Sequence, residues 1–286
     1  MLADTHAHLY WDSFKEDIND VIQRSKDSGL SLIINVGVDL GRSAQALKQV
    51  KEDFSKYTGV KFLSSIGLHP HEAIKYQTPE SIEKAITGLE TIHQSDPEKV
   101  VLVGECGLDF FFDNNPDYVD TSLSIEQNKD LQRKLFKAQI ELAKKLNLPI
   151  TVHIRDDRNK DPENSECWDE ALEMLQDSFG ILHCYSGLPE TTEKALKMEK
   201  FLFSFAANIT YPRNEYLREA AKLIPLDRIV FETDCPFLAP QSRRGQRNEP
   251  MSVRESAELV AALKGISLEE VAKQTTENVK KLLRLS

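Results

Sequence analysis

The chain has 286 residues, 40% of them apolar and 29% charged, with a formal net charge of −10. That composition is ordinary for a soluble globular fold. It holds no apolar run of about 18 residues that would span a bilayer, and it is too acidic to coat nucleic acid through a broad Lys and Arg excess. Four cysteines, Cys106, Cys167, Cys184 and Cys235, make no C-x-x-C pair, and the N-terminus has no basic-then-apolar leader pattern. A reduced, cytoplasmic setting is the simplest expectation. An acidic chain still has room for a local phosphodiester site where bound metal supplies the positive charge.

In chain order, short β-rich apolar runs alternate with longer helical patterns. The first run, LADTH, leads into His6 and His8, which the alternation of a strand places on one face. SLIINVG (31–37), KFLSSIGLH (61–69), KVVLVGE (99–105), LPITVH (148–153), GILHC (180–184), FLFSFAA (201–207) and RIVFETD (228–234) follow. Between them lie segments such as LQRKLFKAQIELAKKLN, with Leu131, Leu135, Ala138 and Leu142 at helical spacing. Eight such units predict parallel pairing through crossovers. The fold expected is a distorted (β/α)8 TIM barrel, a single domain over residues 1–286. An open doubly wound sheet would carry a Gly-rich phosphate turn after its first strand, where this chain has His-x-His. Stretches near 112–127 and 156–167, broken by Asn, Asp and Pro, read as loop insertions behind strands four and five. They are either plain surface loops or shapers of a substrate pocket.

Residues of metal-ligand type fall at strand ends: His6 and His8 on strand one, Glu105 on four, His153 on five, His183 on six and Asp234 on eight. Catalytic groups of such barrels come from those C-terminal ends. Four histidines and two carboxylates exceed the three protein ligands of a typical single catalytic zinc. Two divalent ions sharing Glu105 fit better, and such pairs clamp attacking and leaving oxygens. Mg, Mn and Zn all remain compatible with the mixed donors. Cys106, Cys184 and Cys235 each follow a candidate ligand, and alternation turns them toward the helix layer as small apolar residues. Arg155 shares the inward parity of His153 and either meets a phosphate bidentately or pairs with a loop acid. Asp4 and Glu232 precede His6 and Asp234 by two and are candidates to orient the histidine ligands. His69 and His71, in GLHPH, are substrate contacts, extra ligands or parts of a helix-entry turn. Arg243, Arg244 and Arg247, in SRRGQRNEP, either hold phosphates at a pocket mouth or belong to a solvated loop.

Taken together, DTHAHL, GLHPH, GECGLDF, LPITVHIR, HCYSG, ETDCPFLAP and RGQRNEP resemble the TatD family of metal-dependent deoxyribonucleases, within the amidohydrolase-like barrels. The stretches span nearly the whole chain in family order. The resemblance implies His6, His8, Glu105 and Asp234 at a first metal site, and Glu105, His153 and His183 at a second. It departs at Tyr10, where the family usually has an acid. The function it implies is hydrolysis of single-stranded DNA or RNA, as a 3′–5′ exonuclease, by attack of metal-bound water. Asp234 would be the general base, and Arg155 with the metals would stabilise phosphoryl charge. His69, His71, Arg155 and Arg244 would meet substrate. The expected partner is the end of a nucleic-acid strand, with no membrane and no obligate protein partner. Two alternatives stand beside this: a metal-dependent ester hydrolase such as a D-aminoacyl-tRNA deacylase, and a non-catalytic metal or nucleic-acid binding protein.

Overall fold

The computed structural model describes residues 1–112, 115–159 and 161–285. Asp113 and Asn114 of the first expected insertion, Lys160 of the second, and Ser286 lie outside the described residues. Eight parallel strands form one sheet in sequence order. They are β1 (Leu2–Ala7), β2 (Leu30–Asn35), β3 (Lys61–Ile66), β4 (Val100–Asp109), β5 (Ile150–Arg155), β6 (Gly180–Leu182), β7 (Phe201–Phe205) and β8 (Ile229–Phe231). The sheet closes beyond β8, where Ala7 bridges Cys235, His8 N–H donates to the Cys235 carbonyl (2.9 Å) and Asp234 N–H to the His6 carbonyl (2.8 Å). Helices α1 (Ile18–Asp27), α2 (Leu40–Lys48), α3 (Pro79–Ser95), α4 (Ile125–Leu146), α5 (Glu166–Met174), α6 (Pro189–Leu196), α7 (Glu215–Leu223), α8 (Val253–Lys264) and α9 (Leu268–Leu282) follow the strands. This is the expected (β/α)8 barrel. No helix among the described residues is long and apolar enough to cross a membrane.

Apolar side chains fill two layers. A large cluster, including Phe14, Phe136, Trp168, Tyr185 and Phe203, lies between the strands and the helices. A smaller one, Ala3, Leu32, Ile34, Leu63, Val101, Ile181, Leu202 and Val230 with Val279 of α9, fills the barrel floor. A filled floor leaves the opposite, C-terminal end of the strands as the end available for a site. Gly107 shows how tightly β4 and β5 pack: its φ is +142°, and a Cβ there would lie 2.0 Å from the His153 carbonyl oxygen.

Several element limits differ from the sequence reading. β4 runs on through Asp109 instead of stopping at Glu105, because Leu108 and Asp109 keep pairing with Ile154 and Arg155. β6 and β8 stop at Leu182 and Phe231, so His183 begins a loop and Asp234 lies three residues into one. The last residues of both expected insertions belong to helices. α4 starts at Ile125 behind a Ser124–Gln127 capping box, and α5 starts at Glu166. Ala138 is only half-buried, whereas Phe136, Gln139 and Ile140 of the same helix are buried.

Candidate active site

Register irregularities aim the first candidate groups. β1 slips against β2 between Asp4 and Ala7, and β4 slips against β5 between Val103 and Cys106. Such slips re-aim side chains. His6 lies within the first, His8 just beyond it and Glu105 within the second, and all three are buried.

Glu105 is the centre of the arrangement. Its Oε2 lies 3.2 Å from His6 Nε2 and 3.8 Å from His8 Nε2. Its Oε1 lies 3.0 Å from His153 Nδ1, 3.5 Å from His183 Nε2 and 3.5 Å from His69 Nε2. Asp234 closes the first side, with Oδ1 3.3 Å from His8 Nε2 and 4.0 Å from His6 Nε2. Its backbone is left-handed, with φ +56°, a conformation Asp tolerates better than most residues. All six sequence-predicted ligands therefore come together, the four histidines divided between the two oxygens of Glu105, with Asp234 beside His6 and His8.

The outer nitrogens decide what the inner ones can do. His8 Nδ1 lies 2.9 Å from the Val36 carbonyl, which can only accept, so that nitrogen carries the proton. His183 Nδ1 lies 2.8 Å from the buried Glu232 Oε1, and His153 Nε2 lies 3.1 Å from Asp109 Oδ2. In each neutral ring the other nitrogen then turns a lone pair toward the oxygens of Glu105 or Asp234. A lone pair facing a carboxylate needs a cation between them, either a proton or a metal ion. A donor set of imidazole and carboxylate suits Zn, Mn and related divalent ions, so the residues fit the group. His69 behaves differently. Its Nδ1 accepts the His71 backbone N–H at 3.2 Å, so the neutral ring carries its proton on Nε2 and points a donor at Glu105.

The electrostatics follow from burial opposed by these partners. Burial raises the Glu105 carboxyl, but His69, His6 and His183 outweigh it and hold it well below the carboxylate range. Asp234 is lowered too, burial being overcome by His8 and His183. Burial disfavours charged His153, yet Asp109 and Glu105 raise it to about 9. His183 rises to about 10 against burial, through Glu232 and Glu105. Burial keeps His69 well below its ordinary value.

Two glutamines on one face of α4 hold the neighbouring strand ends. Gln139 accepts from Leu68 N–H (2.8 Å) and donates to the Leu68 carbonyl (2.9 Å), one residue before His69. Gln132 does the same for Asp109, at 2.8 and 2.9 Å. Asp109 is the site residue the sequence reading missed. It is buried and touches both His153 and His71 Nε2, each at 3.1 Å. Continued alternation Glu105–Gly107–Asp109 was the available signal.

Other predicted residues sort clearly. Glu232 meets His183, as expected, and also accepts the Cys184 N–H at 2.8 Å. Asp4 does not reach an imidazole: after the slip in β1 it accepts from the backbone N–H of His6 (3.1 Å) and Thr233 (3.0 Å) and from the Thr233 hydroxyl (2.6 Å). Cys106 and Cys235 are buried in the outer core. Cys184 is not; with φ +41° just past the short β6 it leaves the alternation and lines the cavity. Tyr10 donates to the same Val36 carbonyl as His8, at 2.8 Å, and thereby braces that histidine's acceptor.

These groups open into a cavity of about 960 Å³. His69, His71 and Arg155 line it, and the Arg155 guanidinium lies 4.0 Å from the centre of the Phe111 ring. Tyr118 of the first insertion stacks on His71 at 4.0 Å. Trp11 and Phe237, packed edge to face with ring centres 5.8 Å apart, line it as well. Arg244 lies over Tyr211 at 4.1 Å, behind the cavity wall. Arg243 and Arg247 are taken up elsewhere, Arg243 by Glu255 (3.0 Å) and Arg247 by Asp17 (2.6 Å) and Glu249 (2.8 Å).

Known proteins resemble this chain over its whole length. The chain is 36% identical over 292 residues to the uncharacterized metal-dependent hydrolase YabD of Bacillus subtilis, covering 100% of both. It is 31% identical over 290 residues to the 3′-5′ ssDNA/RNA exonuclease TatD of Erwinia tasmaniensis, covering 99% of this chain and 100% of that one. The crystal structure of the TatD homologue YJJV from Escherichia coli shares the fold, with a TM-score of 0.82 at 24% identity over 100% of this chain and 98% of that one. The model of the TatD related DNase family matches residues 3–284, and the chain belongs to that family of metal-dependent hydrolases.

Proposed function

We propose that the whole chain acts as one unit, a phosphodiesterase that uses two divalent ions to cut nucleotides from the 3′ end of single-stranded nucleic acid. The observation that carries this reading is Glu105, whose two oxygens face separate histidine sets. His6, His8 and Asp234 would hold one ion with Glu105, and His153 and His183 the other. When bound, such ions lower the pKa of water and neutralise charge on the phosphoryl oxygens.

The protein's own groups supply the rest. Asp234, kept ionised beside His8, accepts the proton of the attacking water. Arg155, on the cavity wall, donates to the non-bridging oxygens, while His69 points its Nε2–H at Glu105. Asp109 and Glu232 fix the rings of His153 and His183. His71, held by Asp109, borders the strand's path. Aromatic walls at Trp11, Phe237 and Phe111 suit unstacked bases, which favours a single strand over a duplex. The 3′–5′ direction is taken from the Erwinia relative's described activity.

The test is hydrolysis of a 5′-labelled single-stranded oligonucleotide by chelator-stripped protein, with Mg, Mn or Zn added back separately. A ladder shortening from the 3′ end, lost without metal and in Glu105→Ala, is expected. No cleavage with any ion would overturn the nuclease reading and direct the search to ester substrates, D-aminoacyl-tRNA first.

A further inference from the structure

Most arginines of this acidic chain are neutralised locally. Arg24, Arg42, Arg133, Arg218, Arg243, Arg247 and Arg254 each lie within 3.4 Å of a carboxylate. Three arginines on the cavity wall are different: Arg155, 4.0 Å from Asp109 and already used at the metal groups, and two beyond it. Arg213 is exposed, lies just before α7, and makes no ion pair among the described residues. Arg158 comes from the insertion behind β5. Its side chain is 22% exposed, and the carboxylate nearest to it is Asp156, 3.7 Å away. One end of that guanidinium is anchored, since Nη2 donates to the Ser186 carbonyl at 2.9 Å, while its buried Nε has no partner.

The Arg158 guanidinium sits 5.6 Å from the centre of the Tyr216 ring. Arg213 stands three residues before Tyr216 in the chain and lines the same cavity. Asn208, on the same wall, donates to Cys184 Sγ at 3.4 Å, next to His183, while its buried Oδ1 has no partner. The wall thus runs from the candidate metal groups to a pair of under-neutralised guanidiniums. Planar guanidiniums with free N–H groups match phosphate oxygens.

The geometry points to a second phosphate subsite, formed by Arg158 and Arg213 around Tyr216, that holds a phosphate of the substrate strand other than the one being cut. The inference rests on the phosphodiesterase reading above. It also assigns a use to the insertion near 156–167: this segment carries Arg158 to the cavity. The occupant is a phosphate, either the phosphodiester next to the scissile one or a terminal phosphomonoester.

The test uses the metal-loaded full chain and two substrates. Bis(p-nitrophenyl) phosphate has one phosphate and occupies the metal centre alone; a single-stranded oligonucleotide reaches both sites. Arg213→Ala, whose exposed and unpaired side chain the fold does not need, is the main variant, with Arg158→Ala beside it. Each is expected to raise the oligonucleotide KM about ten-fold with kcat little changed, and to make its salt dependence shallower by about 0.7 in log–log slope, the value for one phosphate contact on a single strand. Hydrolysis of bis(p-nitrophenyl) phosphate should stay at the wild-type rate. A neutral methylphosphonate at the neighbouring linkage should weaken wild-type binding but not that of Arg213→Ala. If removal of the terminal phosphate has that effect instead, the subsite holds a phosphomonoester. Unchanged KM and salt slope in Arg213→Ala, on an enzyme that cleaves both substrates, would overturn the subsite alone. Failure of the wild type to cleave either substrate would overturn the phosphodiesterase reading and the subsite with it.

Discussion

Glu232→Gln tests the division of the site most directly. Glu232 is fully buried, and its Oε1 faces His183 Nδ1 at 2.8 Å while accepting the Cys184 N–H at 2.8 Å. The carboxylate keeps the proton on Nδ1, leaves Nε2 for a metal, and raises the basicity of the ring. Glutamine has the same shape and keeps one carbonyl acceptor, but it loses the charge. Removing a partner of this kind costs about 10–100-fold in metal affinity, or about 1.4–2.7 kcal/mol. With one acceptor kept, Glu232→Gln should fall near the ten-fold end. Glu232→Ala removes the acceptor of the Cys184 N–H, at about 1–3 kcal/mol, as well as the carboxylate beside His183, and should reach the hundred-fold end with a lowered Tm. The assay is a competitive chelator titration read by metal analysis, which resolves two binding steps. Only the step at His153, His183 and Glu105 should weaken; the step at His6, His8 and Asp234 should hold within about two-fold. Equal weakening of both steps, or none, would refute the argument that Glu232 acts through His183.

Gly107→Ala should prevent stable folding or lower Tm sharply, since φ +142° disfavours any side chain and the new Cβ would meet the His153 carbonyl; a Tm within a degree or two of wild type would contradict that packing. Metal-free protein should lose stability as pH rises. His153 and His183 have folded pKa values of about 9 and about 10, above the ordinary 6.5 of the unfolded chain. Their protonated pairs therefore stabilise fully below about 6.5, and that contribution disappears through pH 9–10. Tm of chelator-treated protein should fall from pH 7 to 10 more steeply than Tm of the metal-loaded form, and parallel curves would sink the point. Arg247→Ala should cost up to about 1 kcal/mol by denaturant titration, because a half-exposed ion pair to Asp17 and Glu249 contributes little. It should leave oligonucleotide KM unchanged, and a raised KM would return this arginine to the substrate path.

The sequence by itself determined the barrel and the six candidate ligands, and the reason is local. Apolar runs with β-rich composition, separated by helical spacing, allow few architectures, and His6, His8, Glu105, His153, His183 and Asp234 stand where those runs end. Contacts between distant segments decided the rest. The slip in β1 turned Asp4 to the backbone of Thr233 and set His6 and His8 at the site. The pairing of β4 with β5 carried the strand on to Asp109, which α4 clamps through Gln132. The left-handed turn at Cys184 put into the cavity a residue that alternation assigns to the helix layer. Among the arginines of the last loop, partners far away in the chain made Arg247 a clamp and placed Arg244 over Tyr211. A strand's period fixes only which way successive side chains point along one segment. Register, the protonated nitrogen of each histidine and the neutralisation of each arginine depend on what the other strands and loops bring against it.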